Sequence, residues 1–171
     1  NGQFIAVSQR MPKDERNVWN IQVKEYDPKL KAGDRIFFSL RINAVRKTRN
    51  VQGKQVRHDI VQDYRKRLLE EGKRESHLPS RTVLAQQASL DWLKTREDEI
   101  GFVVEQETLL VESYQRQQIR KNIKARPIIL SVIDMKGFAK VIDPEKARTT
   151  LMQGVGCAKG LGCGMMLIRR A

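Results

Sequence analysis

The chain has 171 residues, 40% of them hydrophobic, with 33 Lys and Arg against 20 Asp and Glu and a formal net charge of +13. That is enough apolar matter for a folded core, in one ordinary domain or two small ones, and no stretch is biased enough to read as disordered. No apolar run approaches the roughly eighteen residues of a spanning helix and no signal-peptide pattern opens the chain; so large a basic excess points to nucleic acid or another anionic surface, with membrane the weaker option.

Asn1-Gly2-Gln3-Phe4 reads as a turn entering a strand, and the chain has no initiator methionine, so it is expected to begin inside a larger protein. Short strands are predicted over residues 4–7 and 20–23. Asp27-Pro28 and Ala32-Gly33-Asp34 mark a loop after them. The clearest alternation follows: Ile36, Phe38, Leu40, Ile42 and Ala44 fall on one face, Ser39, Arg41 and Asn43 on the other. Side chains alternate across a strand, so this is a long strand with one buried face.

Residues 45–58 change character. Arg46, Lys47, Arg49, Lys54 and Arg57 follow one another with no acid between them, and residues 50–53 can turn the chain. The pattern is a β-hairpin with basic arms. A two-stranded ribbon is slim enough to enter or straddle a nucleic-acid groove, whereas a merely solvated hairpin would mix its signs. Ile60, Tyr64 and Leu68 have helical spacing, with Gly72 as a stop. Ser80 can cap a second helix carrying Val83, Leu84, Ala88, Leu90, Trp92 and Leu93. Trp92 shares its stripe with aliphatic residues and reads as core, not as a stacking platform.

Strands return at 102–104 and 109–111, followed by a basic segment from Arg116 to Arg126 that contains Arg120, Lys121 and Lys124. Residues 128–133 form a fully apolar strand. Asp143-Pro144 is a helix start, with Asp as cap and Pro in the first turn. That helix ends at Gly154, and a closing strand is expected over 165–168. Strands outnumber helices, which fall singly among them. The pattern is an α+β protein of two units, residues 1–95 and 96–171, joined near 94–101.

Between the last helix and the last strand, Gly154 to Gly164 packs five glycines into eleven positions around Lys159. Consecutive amides in such a loop can cradle phosphate oxygens, with Gly156, Gly160 and Gly162 letting the backbone approach and Lys159 adding charge. Neither a Walker A motif nor a dinucleotide fingerprint is present, so a polyphosphate backbone suits the loop better than a nucleotide. The alternative is a glycine-rich turn that only bends the chain. Cys157 and Cys163 sit in the same loop. Two cysteines without a matching Cys/His set do not make a zinc site, and small thiols in a reducing cytosol are the simpler reading.

The terminal run from Gly154 to Met166, with Lys159 as its lysine, closely resembles the glycine-lysine signature of the CasE family, the RNA-processing endoribonucleases of the type I-E CRISPR system. Phe38-Ser39-Leu40-Arg41-Ile42-Asn43-Ala44-Val45-Arg46-Lys47 is similar to a second family motif, and Leu90-Asp91-Trp92-Leu93 to a third, in the same order and spacing. The resemblance implies tandem ferredoxin-like domains of RNA-recognition type with antiparallel sheets, the first of them incomplete here. It implies binding of the stem-loop of each CRISPR repeat, cleavage on the 3′ side of the stem, retention of the product, and membership of the Cascade complex in the cytoplasm. The family's catalytic His and assisting Tyr lie on an early segment that has no counterpart in this chain, so the catalytic residues are expected upstream of residue 1. His58 and His77 do not inherit that role. A half-complete first sheet is expected to leave an exposed edge and an unstable fragment.

Metal-independent RNA cleavage uses the 2′-OH as nucleophile and needs a base, an acid and cations around the phosphorane. The sequence supplies the cations: Arg46, Lys47, Arg49, Lys54 and Arg57 for the stem, Arg116, Arg120, Lys121 and Lys124 as a third cluster, and Lys159 in the loop. No cofactor or metal is expected. Two rival readings are an RNA-binding subunit without catalysis and a ribosome-associated basic protein explained by charge alone.

Overall fold

The alternation around residue 40 becomes strand β1 (Arg35–Asn43), whose side chains Ile36, Phe38, Leu40 and Ile42 are at most 1% exposed. The computed structural model describes residues 3–49, 51–120, 122 and 127–171. After β1 come β2 (Val45–Arg49), β3 (Gln55–Asp59), helices α1 (Ile60–Glu70), α2 (Arg81–Lys94) and the short α3 (Glu97–Ile100), then β4 (Phe102–Val104), β5 (Leu110–Ile119), β6 (Ile128–Val141), α4 (Pro144–Gln153) and β7 (Met166–Arg170).

Polar caps start the three longer helices. Asp59 accepts from the amides of Val61 and Gln62 at 2.9 and 3.2 Å, Ser80 from Val83 at 3.4 Å, and Asp143 from Glu145 and Lys146 at 3.1 Å. Each cap satisfies amides that the first helical turn leaves without partners.

One antiparallel sheet holds β1 at its centre, paired with β6 along one edge and β7 along the other. The far edge of β6 takes β4 near its C-terminal end and β5 along the rest, with a register shift between Val111 and Ser113. Gln86 of α2 staples this irregular edge, donating to the Leu109 carbonyl and accepting from the Val111 amide at 3.0 Å. The strand order β4/β5–β6–β1–β7, with α1 and α2 after β1 and α4 after β6, is the β-α-β-β-α-β arrangement of a ferredoxin-like unit. Helices cover the face of β1 that carries Ile36, Phe38 and Leu40; Val61, Leu84, Trp92, Leu93 and Leu151 complete that core. The basic hairpin β2–β3 is a separate two-stranded ribbon inserted between β1 and α1.

The α+β class and the antiparallel sheets agree with expectation, and three details differ. β1 belongs to the stretch assigned to a first unit, yet it lies between β6 and β7, so a boundary near residue 95 would cut through one sheet. The ferredoxin-like order is complete within residues 35–170. Residues 3–34 form no helix or strand, although strands were expected at 4–7 and 20–23. A short isolated strand has no ladder to satisfy its backbone, and here Phe4 and Trp19, 80% and 58% exposed, meet edge to face instead. Finally, β6 runs eight residues past the apolar stretch that announced it, to Val141, because Met135, Ala139 and Val141 keep the core face apolar while Asp134, Lys136 and Lys140 break up its linear hydrophobicity.

Phe38 is fully buried in the doubly paired strand. Phe38→Ala is expected to lower unfolding free energy by about 3–5 kcal/mol, read as a shift in urea midpoint at constant slope.

Candidate nucleic-acid interface

The register of the ribbon decides what its charges can do. Lys47 stands directly opposite Arg57, Arg46 opposite His58 and Arg49 opposite Gln55. Alternation therefore puts Lys47, Arg49 and Arg57 on one face, and Arg46 and His58 on the other. All five of these side chains are exposed. Like charges directly opposite each other destabilise a strand pair, and Lys47, Arg49 and Arg57 have no acidic partner among the described residues. Lys54 sits in the turn that leads into β3. On the other face Arg46 leans toward α1, with Nη1 at 3.7 Å from Asp63. His77 is exposed in a single helical turn before α2 and is not part of the ribbon.

The glycine loop is a built structure. A helical turn at Lys159–Leu161 closes its tip, with the amides of Leu161, Gly162 and Cys163 donating to Ala158, Lys159 and Ala158 carbonyls at 2.9, 3.2 and 3.3 Å. Its neck is pinched by Val155 N–H to the Gly164 carbonyl at 2.7 Å. Gly164 adopts φ +90°, and a Cβ there would stand 2.5 Å from the Val155 carbonyl oxygen, so only glycine closes the neck. Between neck and tip, the amides from Gly156 to Gly160 have no backbone partner among the described residues. Gly156 and Ala158 have φ +77° and +62° with Cys157 between them outside that region. Such alternation suits successive N–H groups to converge on an anion, and residues 156–160 are called the nest below. The Lys159 side chain has no ion-pair partner among the described residues. A Cβ at Gly160 or Gly162 would meet nothing within 4 Å, so both edges of the tip stay open to an approaching backbone.

One polar network ties the loop to the sheet. Arg41 donates to both carboxylate oxygens of Asp134 across β1 and β6, at 2.6 and 3.0 Å; Ser113 of β5 donates to the same carboxylate at 2.8 Å; and the Gly164 amide donates to the Arg41 carbonyl at 2.6 Å. The Arg41 guanidinium holds the Asp134 carboxyl below its ordinary value of 3.8. Beneath the loop, Cys163 packs with Leu130 and Val132, and burial pushes its thiol up. Asn43 donates from Nδ2 to the Cys157 sulfur at 3.5 Å. Both cysteines are unpaired thiols.

Sheet topology gathers these parts. Asn43 lies opposite Val132, Leu40 opposite Met166 and Ile119 opposite Ile128. The end of β1, where the ribbon departs, the end of β5 with the start of β6, and the end of the glycine loop therefore share one end of the sheet. Arg116 is exposed on β5 opposite Ser131, and Arg120 is exposed just past β5. Lys121 and Lys124 lie outside the described residues. Sequence reasoning missed the Arg41–Asp134 pair, whose members are 93 residues apart and find each other only through strand register. It also missed Arg96, which stacks on Trp92 at 4.0 Å; the i, i+4 spacing on one helix flank was the available signal.

A ferredoxin-like sheet with a cationic ribbon and a glycine-lysine loop at one end defines an α+β domain with a basic surface at that end. A family profile described as "CRISPR associated protein" matches residues 1–170, and the chain belongs to that family. It is 29% identical over 154 residues to the CRISPR-associated endoribonuclease Cse3 of Thermus thermophilus, covering 85% of this chain and 60% of that protein. A structure of Thermus thermophilus Cse3 bound to an RNA representing a pre-cleavage complex superposes with a TM-score of 0.59 at 25% identity, over 85% of this chain and 58% of that one. Cas6e from Escherichia coli K-12 shares the fold with a TM-score of 0.65 at 19% identity, over 96% of this chain and 75% of that one. The chain thus spans about three-fifths of the length of the Cse3 relative. No helix among the described residues is long and apolar enough to cross a membrane.

Asp134→Asn is expected to cost about 1.5–3 kcal/mol, since it leaves Arg41 without its charged acceptor. The carboxyl is depressed in the folded state, so its contribution is full above the unfolded value and is lost as pH falls through the folded one. Denaturant midpoints measured from pH 7 down to pH 2 should fall less steeply for Asp134→Asn than for wild type. Gly164→Ala should be strongly destabilising through the neck contact, by roughly 2 kcal/mol or more, visible as a lowered melting temperature.

Proposed function

We propose that the chain is the RNA-holding part of a CRISPR RNA-processing endoribonuclease, which binds the repeat stem-loop and cleaves on the 3′ side of the stem. The observation that carries this reading is the ribbon face on which Lys47, Arg49 and Arg57 stand together without an ion-pair partner among the described residues, the one acid of that face, Asp59 at its base, being taken up by the α1 amides and Tyr114. That arrangement weakens the ribbon by itself and is relieved by a polyanion laid along it. A-form RNA hides its bases in a deep, narrow major groove, so the ribbon grips phosphates and shape, with base-edge contacts adding any sequence preference. The nest at residues 156–160 and Lys159 take the backbone near the scissile phosphate, where the phosphorane would need cations and N–H donors. Arg116 and Arg120 extend the same surface along the stem.

In this reading the base and acid for the 2′-OH and the 5′-oxygen come from a His and a Tyr upstream of residue 1. Neither His58 nor His77 performs those steps. Cleavage then requires no metal, the product remains bound, and the partners are the repeat RNA and the other Cascade subunits. The reading is supported by the family membership and by the likeness to Cse3.

A labelled repeat hairpin is incubated with the chain in EDTA and resolved on native and denaturing gels. Tight, salt-sensitive binding without cleavage is expected, weakened by Lys159→Ala. Specific cleavage would place the acid and base within these 171 residues and overturn the assignment of the upstream residues; equal affinity for hairpin and unstructured RNA would overturn stem recognition. Lys47→Thr should separate the two roles of the ribbon. Stability is expected to rise by about 0.2–1 kcal/mol as the Lys47–Arg57 repulsion disappears, while RNA affinity falls and the salt slope drops by about one.

A further inference from the structure

Behind the ribbon, on the side away from Lys47 and Arg57, a cleft opens between the ribbon base, α1 and α2. Arg46, Asp63, Arg67, Asp91, Trp92 and Arg96 line it. Its acids are already engaged: Asp63 faces Arg46 at 3.7 Å and Asp91 accepts from Arg67 at 3.1 Å. Arg96 is different. Its guanidinium lies 4.0 Å over the Trp92 ring, and Nη1 donates to the Trp92 carbonyl at 2.8 Å and to Thr95 Oγ1 at 3.0 Å. Among the described residues it has no ion-pair partner, and its Nε and Nη2 have no acceptor. Burial pulls its proton affinity down, Glu99 pulls it up, and the charge of Arg46 lowers it further. A half-buried arginine with another arginine nearby, offset by Glu99 only from beyond ion-pair distance, is an incompletely balanced charge.

Trp92 adds a second sign. It is 5% exposed, yet its indole Nε1 has no hydrogen-bond partner among the described residues. The neighbouring ring atom Cζ2 lies 3.3 Å from where a Cβ on Gly156 would stand, so this edge of the indole faces the first residue of the nest. Stacked arginine, unpaired indole N–H and nest therefore adjoin one another, with Arg46 on the ribbon side.

We propose that Arg96, held rigid by Trp92 and assisted by Arg46, binds a backbone phosphodiester of the RNA strand as it passes from the ribbon to the glycine loop. The proposal rests on the RNA-processing reading and adds a phosphate subsite to it. Stacking on an aromatic ring leaves the guanidinium edge pre-aimed, so little side-chain freedom is lost when an anion arrives. The site makes Arg96 a positioning residue for the strand entering the nest.

The test is a titration of labelled repeat hairpin RNA by fluorescence anisotropy at several salt concentrations. It compares wild type, Arg96→Gln, Arg96→Lys, Arg46→Gln and, as a remote control on α1, Lys66→Gln, with melting curves for each. Losing one phosphate contact should lower the slope of log affinity against log salt by about 0.7–0.9, with affinity down about tenfold. Arg96→Lys should keep the slope and Lys66→Gln should match wild type. If Arg96→Gln fails to fold, Arg46→Gln, on the exposed strand, reads the same phosphate and should also lower the slope. An unchanged slope in both glutamine variants with hairpin preference intact overturns the phosphate subsite alone. So does an affinity loss with unchanged slope shared by Arg96→Lys, which marks Arg96 as a structural prop. Loss of hairpin preference in wild type overturns the RNA-processing reading and the subsite with it.

Discussion

Strand β1 is hydrogen-bonded along both edges, and the site hangs from its C-terminal end. Ile36, Phe38, Leu40 and Ile42 anchor one face in the core, while Arg41 on the other face clasps Asp134 and lends its carbonyl to Gly164. Immediately beyond, the chain leaves the sheet as the ribbon. A strand locked on both sides cannot slip by one residue without turning its apolar face to solvent. The points at which ribbon, glycine loop and β5 edge leave the sheet are therefore set by that register.

The other common property of the site is that it is electrostatically unfinished. Lys47 faces Arg57 across the ribbon and, among the described residues, five consecutive loop amides lack backbone partners and half-buried Arg96 has no ion-pair partner. Elsewhere the same chain pairs its charges readily: Arg35 takes Glu105 through two bonds of 2.8 Å, and Lys136 takes Glu112. The contrast separates a surface whose charges balance one another from one that leaves positive charge unpaired. Preorganised donors of this kind gain from a ligand without having to rearrange for it.

On the proposed reading, this unit carries the grip on RNA and leaves the proton transfer to other residues. Gripping a duplex requires cations on a rigid, slim element and a loop that tolerates a close backbone, all of which lie within residues 35–170. Proton transfer requires an acid and a base beside the 2′-OH, and neither histidine of the chain lies in the nest. Grip and chemistry can thus reside on different segments, because phosphate contacts tolerate distance along the RNA whereas proton transfer does not.

Much was legible in the sequence where the physics is local. The alternation from Ile36 to Ala44, the caps Ser80 and Asp143, the basic ribbon and the glycine loop around Lys159 each announce themselves, since period, capping and left-handed backbone depend on neighbours within a few residues. The terminal signature likewise pointed to the family. What tertiary structure alone decided was pairing at long range. It set β1 between β6 and β7, so that a division near residue 95 does not exist as a gap in the sheet. It put Lys47 opposite Arg57, joined Arg41 to Asp134, and laid the Trp92 edge against Gly156 beside Arg96. Residues 3–34 show the converse: apolar residues at strand-like spacing form no strand, because a strand exists only with a partner. Local pattern determined which elements form; strand register, a property of two distant segments at once, determined which charges meet.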